Sequence, residues 1–133
     1  MSEATVRKLV TAIPGPKSQE LHQNRLQHVS AGVGAALPVY IDHAHGAILT
    51  DVDGNQLIDM GSGIGVVTIG HTNEGVVKAV QEQVAKLTHT LFTVTPYQPY
   101  VRVCELLNKH TPGSFAKKSA LFNSGAEAVE NAV

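Results

Sequence analysis

The short apolar run Ser119-Ala120-Leu121-Phe122 passes through Asn123-Ser124-Gly125 into Ala126-Glu127-Ala128-Val129-Glu130-Asn131-Ala132-Val133, and this succession constrains the chain more than any other feature. It reads as strand, glycine turn and helix start, a unit from which α/β folds are assembled. The first amides of a helix lack internal partners and sit at the positive end of its dipole. Gly125, Ala126 and Glu127 are therefore placed to donate to an anion such as a phosphate. Gly125 lets backbone come close and Ala126 adds no bulk. Many such turns bind nothing, so the pattern alone predicts a capacity and not a ligand.

Upstream, the breaker Pro14-Gly15-Pro16 precedes a polar helix expected over Ser18 to about Ser30, with Leu21, Leu26 and Val29 on an imperfect apolar stripe. Pro38 to Asp42 is expected to be extended. Ala47 to Met60 reads as a hairpin whose Asp53-Gly54 or Gly54-Asn55 turn supplies a positive φ. Gly61 to Gly70 holds four glycines and no regular period, so it is expected as a loop. Its backbone either passes near a ligand or second subunit, or is a flexible connector. Val76, Val77, Val80, Val84 and Leu87 follow a helical period from Asn73, an N-cap candidate. Thr95-Pro96-Tyr97-Gln98 reads as the start of another helix, ending near Lys109-His110. Cys104 falls on the apolar face of that helix and reads as a small core side chain.

The chain carries 43% hydrophobic residues over 133 positions and a formal charge of −1, without a basic face that would favour nucleic acid. Its apolar stretches fall well short of the roughly 20 residues that cross a bilayer, and Met1 to Thr5 lacks the features of a signal peptide. With one cysteine and no internal disulfide possible, a cytoplasmic location is the expectation. Only about two turns of helix follow Ala126, with no C-cap residue, so we expect an amino-terminal piece of a longer protein.

Seven histidines invite a metal reading, and His43 and His45 share one face of an extended segment. No His-x-x-x-His spacing, paired cysteine or carboxylate cluster completes a tetrahedral set, so no metal site is assigned. Asp51, Asp53 and Asp59 lack the twelfth-position Glu of a calcium loop and read as turn chemistry.

The string Leu121 to Val133 resembles the cofactor-phosphate segment of the class III (omega) aminotransferases, which use pyridoxal phosphate. Gly46 to Met60 is similar to that family's early hairpin, and Gly61-Ser62-Gly63-Ile64-Gly65-Val66 and Gly70-His71 to the segments after it. Ile64-Gly65-Val66-Val67, His89-Thr90-Leu91-Phe92 and Thr95-Pro96-Tyr97 look most like the 4-aminobutyrate aminotransferases within it. The resemblance implies an α/β fold, the amino-terminal part of a fold-type I PLP-dependent transferase: a small-domain segment over 1–60, then the start, over 61–133, of a large domain with a mainly parallel sheet. It implies a homodimer with its active site between subunits and amino-acid and 2-oxo-acid substrates, while the near-neutral charge and short apolar stretches argue against a nucleic-acid or membrane partner.

On the same grounds Ser124, Gly125 and Ala126 would hold the phosphate of pyridoxal 5'-phosphate. Ile64 would form an apolar wall of the substrate site, against the alternative of a packed loop isoleucine. His71 reads as a structural histidine of the cofactor-side loop. Thr93 departs from a larger polar residue of some relatives. No catalytic residue is assigned: Lys117 and Lys118 enter the run at the end opposite Ser124, and six extended residues at about 3.3 Å each separate Lys118 from it. The Schiff-base lysine, the acidic partner of the cofactor ring and the substrate-carboxylate arginine are expected beyond Val133. The piece alone is accordingly expected to be inactive and poorly soluble. Competing readings are another omega-amino acid or acetylornithine transaminase, a semialdehyde aminomutase, a non-catalytic phosphate-ligand binding module, or an interaction fragment.

Overall fold

A computed structural model describes residues 7–133, so the Met1 to Thr5 stretch read for targeting signals lies outside the described residues. The chain divides into two units, one ending at Glu82 and the other running Gln83–Val133.

The first unit opens with α1 (Pro16–His28), where the breaker triplet stops and Pro16 presets the helical φ. Its N-cap, Gly15, has no side chain to offer the free amides. Asp53, brought from the hairpin, supplies both carboxylate oxygens instead: the Lys17 N–H donates to Oδ1 at 2.8 Å and the Ser18 N–H to Oδ2 at 3.0 Å. Glycine is required at 15 because a Cβ there would overlap the Asp53 carboxylate. Leu21, Leu26 and Val29 remain exposed.

Strands β1 (Ile41–His45), β2 (Ile48–Asp51) and β3 (Gln56–Ile58) form an antiparallel meander in that order. The register pairs Ala44 with Leu49 and Leu49 with Leu57, and a bulge falls between Ile41 and His43. The extended segment expected at Pro38 to Asp42 thus pairs only from Ile41 onward. The β2–β3 connection closes through the Asp51 N–H donating to the Asn55 carbonyl at 3.0 Å, with Gly54 at φ 89. Asp51 Oδ1 accepts from the amides of Asp53 at 3.0 Å and Asn55 at 2.7 Å, the side-chain-to-turn bonding that favours Asp before a tight turn.

The centre of this unit is polar. Among the described residues Ile48 is the one buried apolar side chain, whereas Ser18, Asp51 and Asn55 are buried. Asn55 Oδ1 accepts from the amides of Val10 at 2.8 Å and Thr11 at 2.9 Å. Its Nδ2 donates to Thr11 Oγ1 and Asp51 Oδ2, each at 2.8 Å. Both amide hydrogens and both carbonyl lone pairs are used, which is what keeps such burial affordable.

Residues 61–70 are not the irregular loop expected throughout. Ser62–Gly65 coils into a single turn, α2, with Ser62 at φ 46, Gly63 at 57, Ile64 at 58 and Gly65 at 82, so its hand is left. A β-branched residue rarely adopts that region, and Ile64 does so here. Helix α3 (Glu74–Val84) follows, capped by Asn73 Oδ1, which accepts from the amides of Gly75 at 3.1 Å and Val76 at 3.4 Å. Val66, Val67 and Ile69 face Val76, Val77 and Val80 across an open apolar cleft of about 400 Å³.

In the second unit, α4 (Gln98–His110) begins two residues later than Thr95-Pro96 suggests, with Tyr97 as N-cap and Pro99 in the first turn. The Thr95 N–H closes a turn on the Leu91 carbonyl at 2.9 Å, ahead of the helix. Phe92 stacks on Tyr100 with ring centroids 4.1 Å apart, and Tyr97 meets both edge-on. That packing holds Tyr97 extended. The helix ends where Thr111, ahead of Pro112, turns extended.

The strand expected at Ser119 to Phe122 is a correction: these residues join no ladder, and among the described residues the one sheet is antiparallel. They bond to α4 instead. The Leu121 N–H donates to Tyr100 Oη at 3.0 Å, Ser119 Oγ donates to Asn108 Oδ1 at 2.7 Å, and the Cys104 thiol donates to the Ser119 carbonyl at 3.5 Å. A parallel strand exists only through neighbours distant in sequence, and none of the described residues supplies them. Helix α5 (Gly125–Ala132) closes the chain.

Candidate functional site

The turn from Phe122 into α5 places Ser124, Gly125 and Ala126 together at a helix N-terminus. Ser124 is the N-cap, in extended conformation, and its Oγ accepts from the Glu127 amide at 3.2 Å. The hydroxyl hydrogen stays available for an acceptor outside the helix. Glu127, named with the free amides above, is therefore already engaged, whereas the amides of Gly125 and Ala126 have no protein acceptor among the described residues. Nothing lies within 4 Å of where a Gly125 Cβ would project, so the approach to these amides is open. Two free N–H groups, one hydroxyl and a dipole end make an arrangement that suits a phosphate ester.

Ile64 belongs to the other unit. Its side chain is 96% exposed, an apolar surface presented outward. The turn carrying it is held by Asp59. Asp59 Oδ1 accepts from the amides of Gly61 at 2.9 Å and Ser62 at 2.8 Å, and Oδ2 lies 2.7 Å from His71 Nε2. Both side chains are largely buried, 11% exposed for Asp59 and 22% for His71. The His71 hydrogen bond first, then the Ser62 amide, hold the Asp59 carboxyl below the ordinary range against the opposing effect of burial. His71 is thus structural, and its backbone pairs with Gly46 in both directions, at 2.8 and 3.0 Å. The turn chemistry expected of Asp59 is present in its bonds to the Gly61 and Ser62 amides, as the spacing Asp59-x-Gly61-Ser62 favours, whereas its contact with His71, twelve residues on, carries no local sequence signal.

The remaining polar candidates are spent elsewhere. For Asp53 burial would raise the pKa, but the Ser18 and Lys17 amides outweigh it and hold the carboxyl below its usual value. His43 Nδ1 sits 2.8 Å from Asp42, and His45 Nδ1 sits 3.1 Å from Thr72 Oγ1, so the two histidines have separate partners. No group of three His, Cys, Asp or Glu side chains arranged for a metal occurs among the described residues. Lys117 turns back to the Gly113 carbonyl, with its ammonium 4.8 Å from the Phe115 ring centre. No helix among the described residues is long and apolar enough to cross a membrane.

Comparison with known proteins fits this arrangement. Residues 29–133 match a family model described as aminotransferase class-III. The chain is similar to 4-aminobutyrate aminotransferase of Mycobacterium tuberculosis, 62% identical over 127 residues that make up 96% of this chain and 28% of that protein. It is similar to 5-aminovalerate aminotransferase DavT of Pseudomonas putida, at 47% identity over 87% of this chain and 27% of that one. Among solved structures, an omega-transaminase from Sphaerobacter thermophilus superimposes with a TM-score of 0.77 at 25% identity, covering 90% of this chain and 28% of the other. The chain therefore spans little more than a quarter of the length of the curated relatives it matches. Its described residues correspond to the amino-terminal part of the α/β transaminase fold. By the family match over most of its length, the chain belongs to the class III aminotransferases, enzymes that depend on pyridoxal 5'-phosphate.

Proposed function

We propose that the complete enzyme containing this chain transfers the amino group of 4-aminobutyrate to 2-oxoglutarate, giving succinate semialdehyde and glutamate. The observation that carries this reading is the 62% identity to the mycobacterial 4-aminobutyrate aminotransferase across 96% of the chain. Residues 124–126 anchor the cofactor phosphate, through the Gly125 and Ala126 amides and the Ser124 hydroxyl. The open approach at Gly125 supports this placement. When bound, pyridoxal phosphate supplies the electron sink that stabilises negative charge at the amino-bearing carbon. Ile64 offers an apolar surface to the methylenes of an omega-amino acid. Residues 1–60 belong to the small domain and subunit interface, and 61–133 to the large domain. The enzyme is a cytoplasmic homodimer whose Schiff-base lysine lies outside this segment, so the segment alone is inactive. The exposed apolar side chains of α3 and α4 support their burial against further structure.

A second reading, transamination of 5-aminovalerate, is favoured by the similarity to DavT. The test is steady-state kinetics of the full-length enzyme with 4-aminobutyrate, 5-aminovalerate and acetylornithine as donors to 2-oxoglutarate. The highest kcat/KM with 4-aminobutyrate supports the first reading. Preference for the longer donor replaces it with the second, and absence of any transamination defeats both.

A further inference from the structure

The segment between Asp59 and Thr72 is closed at its base and stapled to the turn between β1 and β2. Asp59 joins the two ends, taking the Gly61 and Ser62 amides on one oxygen and His71 Nε2 on the other. The Asp59 amide donates to the Ala47 carbonyl at 2.9 Å, Gly46 and His71 exchange both backbone bonds, and Thr72 Oγ1 donates to the Ala44 carbonyl at 2.9 Å. A side chain at Gly70 would meet Gly46 Cα at 3.2 Å, so backbone approaches backbone there with no slack. Within this frame stand Ser62 and Ile64, both at positive φ, a conformation that surrounding contacts must impose on them. The Asp59 carboxylate holds the first amides of the turn that projects Ile64.

We propose that Asp59, clasped to His71, is a positioning residue for amino-donor recognition: it sets the left-handed turn that presents the Ile64 side chain to the methylenes of the donor. The proposal rests on the reading of Ile64 as a wall of the substrate site. The carboxylate touches neither donor nor cofactor and acts through the backbone of residues 61–64. Removing it lets Ser62 and Ile64 relax to negative φ and swings the apolar side chain away, so donor binding weakens while the chemical step, set elsewhere, is largely kept.

The test is a double-mutant cycle in the full-length holoenzyme with Asp59→Ala, Ile64→Ala and the pair, reading kcat and KM for the preferred amino donor and bound cofactor by absorbance. Ile64→Ala and Asp59→Ala are each expected to raise the donor KM about tenfold, the scale of a lost alkyl contact, with kcat changed less than about twofold. The pair is expected to match either single variant, because both remove the same contact. Asp59→Asn keeps an acceptor for the two amides and is expected to recover most of the donor KM. An effect of Ile64→Ala with none from Asp59→Ala overturns the clasp alone, as do strictly multiplicative effects in the pair. No effect from Ile64→Ala defeats the substrate-wall reading and the clasp's role with it. A loss of cofactor from Asp59→Ala with donor KM unchanged overturns the proposal. If Asp59→Ala does not fold, His71→Gln decides: a raised donor KM absent from the Ile64→Ala background supports the clasp, and an unchanged one ends it.

Discussion

The hairpin region and the α4–α5 region are built on opposite terms. In the first, residues far apart in sequence are tied by buried or half-buried carboxylates and amides. Asp53 reaches α1, Asn55 reaches Val10 and Thr11, and Asp59 reaches His71. In the second, helices carry apolar faces with little to meet them: Val101, Val103, Leu106, Leu107 and Val129 all remain exposed. A polar network with every donor and acceptor matched can hold a small region without an apolar core, whereas amphipathic helices cannot hold themselves. The hairpin region is braced by its own polar bonds, and the helices of the second unit leave their apolar faces open.

The sharpest way to break this contrast is Asn55→Ala. It strips acceptors from two amides and donors from Thr11 and Asp51, at about 1–3 kcal/mol for each buried group left unpaired. We expect a loss of about 3 kcal/mol or more, read as a lowered denaturation midpoint with early exchange of the hairpin amides. Gly125→Val asks the opposite of the second region. Because nothing lies within 4 Å of the added Cβ, helix content should hold, while cofactor affinity of the full-length enzyme should fall about tenfold or more in an absorbance titration. Unchanged affinity would remove the anchor from residues 124–126.

Gly15→Ala pushes the Asp53 carboxylate off α1 and should cost about 1 kcal/mol, with faster exchange at Lys17 and Ser18 and no change at α4. Acid reports the same cap. The folded pKa of Asp53 is lowered, so its contribution is complete above the ordinary carboxylate value and is lost as pH falls through the depressed one. Fraying of α1 below about pH 4, absent in Asp53→Asn, is the expected signature. The smallest effect belongs to Tyr100→Phe, which deletes a single bond to the Leu121 amide. It should cost about 0.5–1.5 kcal/mol, seen only in exchange at residues 119–122.

What the sequence disclosed follows the same division. The Asn73 cap, the Gly54 turn and the starts of α3 and α5 are local, and residue type within a few positions determines them, whereas the helical period running on to Leu87 overstates α3, which ends at Val84. The free amides of Gly125 and Ala126 at the start of α5 were legible for that reason. The start of α4 was misplaced because Pro96 and Pro99 satisfy the same rule, and only the packing of Phe92, Tyr97 and Tyr100 chooses between them. Ser119 to Phe122 was read as a strand from composition, yet a ladder needs partners that no window of sequence contains. The left hand of Ser62–Gly65 was hidden because Ser62 and Ile64 violate their own preferences, in a turn whose first amides are held by Asp59.

The capping of α1 by a carboxylate borrowed from the hairpin has a practical consequence for anyone recombining members of this family. Gly15 and Asp53 form one structural unit: a chimera that takes its leading helix from one parent and its meander from another keeps this cap only if it carries both residues. A crossover anywhere between them, however well it matches either parent locally, will join a side chain to a hole that does not exist.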